Sequence, residues 1–146
     1  MSENRGRKKR VDVAIAIIVK EGSVLICKRR LKDAFGGFWE FPGGKKEAGE
    51  TLAACLRREL MEELGVTVRI GQALTPIRHD YPHLRVTLRP FVCQLLKDIP
   101  RPLASQRLKW VKPRQLTRHR FPPANVGLLR EVVQEIRGLS MGIGSP

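Results

Sequence analysis

The sequence predicts a single α/β domain, on three observations. A Val- and Ile-rich run is followed by a turn and a second apolar run; a leucine-striped segment follows Gly44; and a second amphipathic segment lies near the C-terminus. A chain of 146 residues suits one domain with a proper core and is too short for two. Hydrophobic residues at 42% fit a globular protein and exclude a disordered one.

Met1 to Arg10 has five cations and no apolar periodicity. It reads as a flexible arm, either solvated or weakly attracted to phosphate backbones. Val11 to Lys20 reads as a buried strand, Glu21-Gly22 as a turn, and Ser23 to Arg30 as the next strand, whose end delivers Lys28, Arg29 and Arg30 to one place. Leu31 to Phe38, with Gly36-Gly37, reads as a loop. Leu52, Leu56, Leu60 and Leu64 then repeat every four residues, the stripe of a helix buried along one face.

Val66, Val68 and Ile70 alternate and predict a strand. Tyr81-Pro82 marks a turn, and Val86 to Leu96 is a further strand in which Pro90 requires a bulge or an edge position. Asp98 to Gln106 reads as irregular, Lys109 to Val111 as a short strand and Pro113 to Leu116 as one helical turn. Pro123 suits the first turn of a helix to about Arg137, with Leu128, Leu129, Val132, Val133 and Ile136 inward and Gly138 ending it. Residues 139–146 read as a flexible tail, leaving 11–138 as the domain.

The longest apolar run, Val13 to Val19, is too short to cross a bilayer, and no signal-peptide pattern opens the chain, so a cytoplasmic protein without membrane contact is expected. Cys27, Cys55 and Cys93 are odd in number and widely spaced, which favours structural thiols over a disulfide or zinc. The formal charge is +14, yet six of the 14 acids fall between Glu40 and Glu63. An acidic pocket in a basic body suits a polyanion bridged by a metal; the same excess suits nucleic acid.

Glu59, Glu62 and Glu63 lie at helical spacing on one side of the leucine-striped helix, at the margin of its apolar face. Carboxylates so crowded repel, and no cation stands four residues C-terminal to any of them; Arg57 and Arg58 lie to the side. A divalent ion would relieve the repulsion, and clustered oxygen ligands suit Mg2+ or Mn2+. Spacing alone leaves a solvated acidic face equally open.

The segment GGKKEAGETLAACLRRELMEELGV, Gly43 to Val66, matches every fixed position of the Nudix hydrolase signature, and the chain resembles that family from about Val11 to Gly138. The resemblance implies an α/β/α sandwich with a mixed sheet between helices. It further implies Mg2+, with Mn2+ as the alternative, held by Glu59, Glu62, Glu63 and the Gly43 or Gly44 carbonyl. Glu50 and Arg58 would brace the loop against the helix, and Glu59 is the favoured base. WEFPGG at Trp39 to Gly44 and FPPAN at Phe121 to Asn125 resemble the MutT-like subgroup, in which Arg30 and Lys28 would hold phosphate, Phe41 would line the base pocket and Asn125 would address a purine.

The implied reaction is hydrolysis of 8-oxo-dGTP to the monophosphate and pyrophosphate. Other nucleoside triphosphates, dinucleoside polyphosphates and ADP-sugars are the alternatives, followed by a non-catalytic module reading 8-oxoguanine in DNA. Two departures stand out. His83-Leu84 replaces an Asp-Arg pair of that subgroup, and Ala104-Ser105-Gln106 offers no acid where the subgroup carries a further glutamate. His79 and His83 read as surface residues, and the oligomeric state is left open.

Overall fold

The structure is a computed structural model that describes residues 8–144, with side chains through residue 138. Strand β1, Lys9–Lys20, forms its spine, pairing in parallel with β7, Leu84–Lys97, from Lys9↔Leu84 to Ile18↔Cys93. β2, Ser23–Lys28, turns back on β1 through Glu21-Gly22. The two-residue β3, Trp39–Glu40, and β8, Arg107–Val111, flank β2 on either side. β4, Gly43–Lys45, lies against the first half of β1. β5, Thr67–Ala73, and β6, Ile77–Tyr81, share the outer edge of β7. All pairings but β1–β7 are antiparallel, so the sheet is mixed as expected.

Alternation along β1 sends its apolar residues to two cores. Ile15 and Ile17 join Leu128, Leu129, Val132 and Ile136 of helix α2, Pro123–Gly144. Ala14, Ala16 and Ile18 face Cys55, Leu56, Leu60 and Leu64 of helix α1, Leu52–Leu64. A strand buried on both faces loses the polar half of the period-two pattern, which explains its unbroken hydrophobic run. The two helices cover opposite faces, giving the layered sandwich.

α1 has both ends fixed. Thr51 accepts from the Ala54 N–H at 3.0 Å, and Gly65, at φ 68°, closes the C-terminus with its N–H on the Met61 carbonyl.

Several boundaries differ from the sequence reading. β7 and β8 each start two residues early, and β6 is a strand that the sequence reading lacks. β1 starts at Lys9, so Lys9 and Arg10 belong to the sheet and not to the arm; residues 1–7 lie outside the described residues. β2 ends at Lys28, two residues early, because Arg29 and Arg30 enter the loop. The turn after Pro113 extends as a 3-10 helix to Arg118. α2 runs through Gly138 to Gly144, since a helical glycine costs only about 1 kcal/mol and this one adopts no left-handed conformation.

β7 runs unbroken through Pro90, beside the irregularity at which β5 shifts register between Ile70 and Ala73. Among the described residues, no helix is long and apolar enough to cross a membrane.

Candidate active site

β4 carries Gly43 and Gly44 past the flank of α1, where a side chain on Gly43 would meet backbone and one on Gly44 would meet the end of Glu59. A Cβ on Gly43, whose φ is 148°, would lie 2.0 Å from the Ala14 carbonyl oxygen; one on Gly44 would lie 2.2 Å from Cδ of Glu59. The Gly43 N–H donates to Glu63 Oε1 at 3.2 Å. Gly44 stands opposite Ala14 in the ladder and its carbonyl accepts the Cys55 thiol at 3.5 Å, so of the two expected carbonyls that of Gly43 is the freer.

Arg58 ties loop to helix. Its Nε and Nη2 fork onto Glu50 at 3.1 and 2.6 Å, Nη2 also reaches the Lys45 carbonyl at 3.2 Å, and Nη1 lies 2.9 Å from Glu59 Oε1. The fork holds the Glu50 carboxyl down at about 2, and the same bonds push the Arg58 guanidinium further up. Nη1 also lies 3.7 Å from Glu62, so Arg58 does not stand aside from the acids: its long side chain folds along the helix and neutralises part of their charge.

Glu59 and Glu63 lie one helical turn apart against the Gly43-Gly44 strand, and Glu63 is half-buried. Burial, then the neighbouring Glu59, raise its carboxyl far above the usual range, against the pull of the Gly43 N–H. The expected convergence of three acids is therefore only partly realised: Glu62, with 60% of its side chain exposed, points outward toward Arg58. Among the described residues, no three of His, Cys, Asp or Glu are placed together as a metal cluster.

The donor chemistry nevertheless fits a hard divalent cation. Two carboxyls one turn apart on α1, beside the freer Gly43 carbonyl, are a set of hard oxygen donors of the kind a divalent cation takes.

Next to this pair lies a cleft of about 180 Å3, walled by Val13, Ile15, Leu88 and Phe41 and edged by Tyr81 and Asn125. Phe41 and Asn125 are thus brought to one place. Phe41 also packs on Phe121, with ring centres 5.3 Å apart, so the cleft wall is continuous with the core. Asn125 is 8% exposed, and its side-chain amide bonds to no described protein group.

The cations separate. Lys28 pairs across the sheet with Trp39 and Arg107, on the α2 face, away from the acids beneath α1. Arg30 instead donates to the Leu103 carbonyl at 2.9 Å, and the Leu103 N–H in turn bonds the Glu63 carbonyl at 3.0 Å, which sets Arg30 one loop from the acidic pair.

The sequence reading missed Glu40 and, in favouring Arg30, Arg29. Glu40 stands opposite Cys27 on the α1 face, salt-bridged to Arg29 and lining the cleft, with its carboxyl raised by burial against the pull of Arg29. The signal was available: in Trp39-Glu40-Phe41 the two aromatics face one core, so the glutamate must face the other. Tyr81, read only as a turn residue, also edges the cleft. The three cysteines are free and buried, and burial pushes each thiol up, that of Cys55 to about 11.

A mixed sheet between helices, with helix glutamates pressed against a Gly-Gly strand at the mouth of an aromatic cleft, places the protein among the hydrolases of phosphate anhydrides. A family model of the NUDIX domain matches residues 13–131, and the chain belongs to that family. Hydrolases of this family generally need a divalent metal.

The chain is 44% identical over 86 residues to the 8-oxo-dGTP diphosphatase of Proteus vulgaris, spanning 58% of this chain and 77% of the relative. It is 29% identical over 121 residues to the CTP pyrophosphohydrolase of Escherichia coli, spanning 83% and 90%. It superimposes on MutT from Staphylococcus aureus with a TM-score of 0.74 at 29% identity, covering 88% of this chain and 99% of that one.

Proposed function

We propose that the protein hydrolyses 8-oxo-dGTP to 8-oxo-dGMP and pyrophosphate, with Mg2+ as the working metal and Mn2+ able to replace it. The observation that carries this reading is Gly43, which lines the cleft and donates to Glu63, so that a base in the cleft has its phosphates at the acidic pair. Asn125 supplies the reading of the base. Its amide can accept from the N7 hydrogen that 8-oxoguanine carries and guanine lacks, while donating to O6. A polar group left unpaired by the wrong base costs about 1–3 kcal/mol, so a few such contacts discriminate strongly.

Glu59, Glu63 and the Gly43 carbonyl would hold the metal, with Glu62 swinging in from solvent. The metal supplies Lewis-acid polarisation of phosphate oxygens and a lowered pKa of water. Arg58, clamped by Glu50, fixes Glu59 against Gly44. Glu59 Oε takes the proton of the water that attacks phosphorus, with pyrophosphate leaving. Arg30, held by the Leu103 carbonyl, binds phosphate oxygens from the loop after β2; Lys28, on the far face, contributes to the general field.

A nucleotide panel with Mg2+ tests the assignment: 8-oxo-dGTP should exceed dGTP and CTP in kcat/KM. Equal turnover of dGTP and 8-oxo-dGTP overturns the sanitising role, and faster CTP turnover moves the reading to a pyrimidine substrate. Binding of lesion-bearing duplex with pyrophosphate release no greater than that of Glu59→Gln would identify a DNA-reading module instead.

A further inference from the structure

Ser105 occupies the loop in which the sequence offers no acid, and its Oγ is buried without a hydrogen-bond partner among the described residues. A hydroxyl in that state costs stability unless something else meets it. Ser105 lines a small pocket of about 40 Å3 whose other walls include Glu40, Glu63 and Cys27.

The loop around Ser105 is pinned on both sides. The Leu103 N–H bonds the Glu63 carbonyl at 3.0 Å, while Gln106 donates from its backbone to the Lys28 carbonyl at 2.9 Å and from its side chain to the Arg29 carbonyl at 2.8 Å. The two acids are pinned as well, Glu40 by Arg29 and Glu63 by the Gly43 N–H. Ser105, Glu40 and Glu63 thus line one space that fits one or two waters, and a buried water needs two to four polar partners. A cavity lined only by apolar groups would stay dry; this one is polar on three sides.

We infer that Ser105 is a positioning residue: with Glu40 it holds an ordered water against Glu63, and that water fixes the direction in which the Glu63 carboxyl faces the cation. The loop keeps a hand on the acidic pair through solvent, without an acid of its own. Partners of this kind set ligand orientation, and their loss typically costs about 10–100-fold in metal affinity or activity. The inference rests on the proposed role of Glu63 as a cation ligand.

The test uses the full chain and the variants Ser105→Ala and Ser105→Thr. Mn2+ affinity is read by electron paramagnetic resonance without nucleotide, kcat and KM are measured on the best nucleotide of the panel, and Tm is recorded for each. Alanine should weaken Mn2+ binding about tenfold and lower kcat about tenfold, leave KM unchanged and not lower Tm; threonine, which keeps the hydroxyl, should restore both.

The idea is overturned if alanine binds Mn2+ and turns over like the wild type, if threonine behaves like alanine, or if a high-resolution crystal structure of the wild type shows the cavity dry. A wild type that binds Mn2+ in a Ser105-dependent way but hydrolyses no nucleotide would sink the proposed function and leave this inference standing.

Discussion

Asn125 is buried in a wall otherwise made of Phe41, Val13, Ile15 and Leu88, with an amide that the protein does not satisfy. Its amide is not sealed from solvent and is open to a ligand in the cleft. Asn125→Ala should therefore lower the kcat/KM preference for 8-oxo-dGTP over dGTP by roughly 5–150-fold, the equivalent of about 1–3 kcal/mol, while the rate with dGTP changes little. Gly44 sets a different kind of limit. The atom that a Gly44→Ala methyl would strike is the end of the Glu59 side chain, which can move. The fold should survive and the chemistry should not: thermal melting stays near wild type while kcat falls about 10²-fold, the cost of misplacing a reacting group by an ångström.

Elements translate those contacts into stability. Glu50 and Arg58 join the loop after β4 to α1, and the Glu50 carboxyl sits at about 2 against an ordinary 4.5. A depressed carboxyl stabilises the fold above its unfolded value, and that contribution disappears as pH falls from 4.5 toward 2. Wild-type stability should drop through that window by more than that of Glu50→Gln, a difference visible in urea titrations at pH 6 and pH 3. Farther along the same helix, Leu60 is fully buried between Leu56 and Leu64 against Ala16 and Ile18. Leu60→Ala should cost about 2–5 kcal/mol by equilibrium denaturation.

Helix α1 was legible because its stripe and its acids lie within a few turns of one another in sequence. Glu40 was only half legible: alternation with Trp39 and Phe41 gives its face, but its neighbour Glu63 is fixed only by the packed sandwich. Lys28 failed because three adjacent cations look like one patch until alternation sends Lys28 to the opposite face. The outward turn of Glu62 was hidden in the reach of Arg58, which spacing does not reveal.

On the scale of the whole molecule, charge is distributed unevenly. Between Asp98 and Glu131 the sequence carries eight Lys and Arg and no acid. Among the described residues none of those eight forms an ion pair; Arg107 and Lys109 instead lie over the Trp39 ring, at 5.4 and 5.9 Å from its centre, and Arg120 lies over Phe38 at 4.5 Å. A body of formal charge +14 should draw a triphosphate toward the acidic pair by its long-range field. Raising ionic strength from about 0.02 to 0.3 M should lower kcat/KM by on the order of tenfold with little change in kcat, measured at fixed free Mg2+.

The parallel union of β1 with β7 dictates when this chain can become itself. Ten consecutive pairs join residues about 75 positions apart, from Lys9↔Leu84 to Ile18↔Cys93. During synthesis the first strand leaves the ribosome with no mate for its central seam, and it waits until the seventh has been made. The sandwich is therefore assembled late and all at once, at the pace of a long loop closing on the order of milliseconds to seconds, and the fate of the nascent protein is decided by what guards that waiting strand.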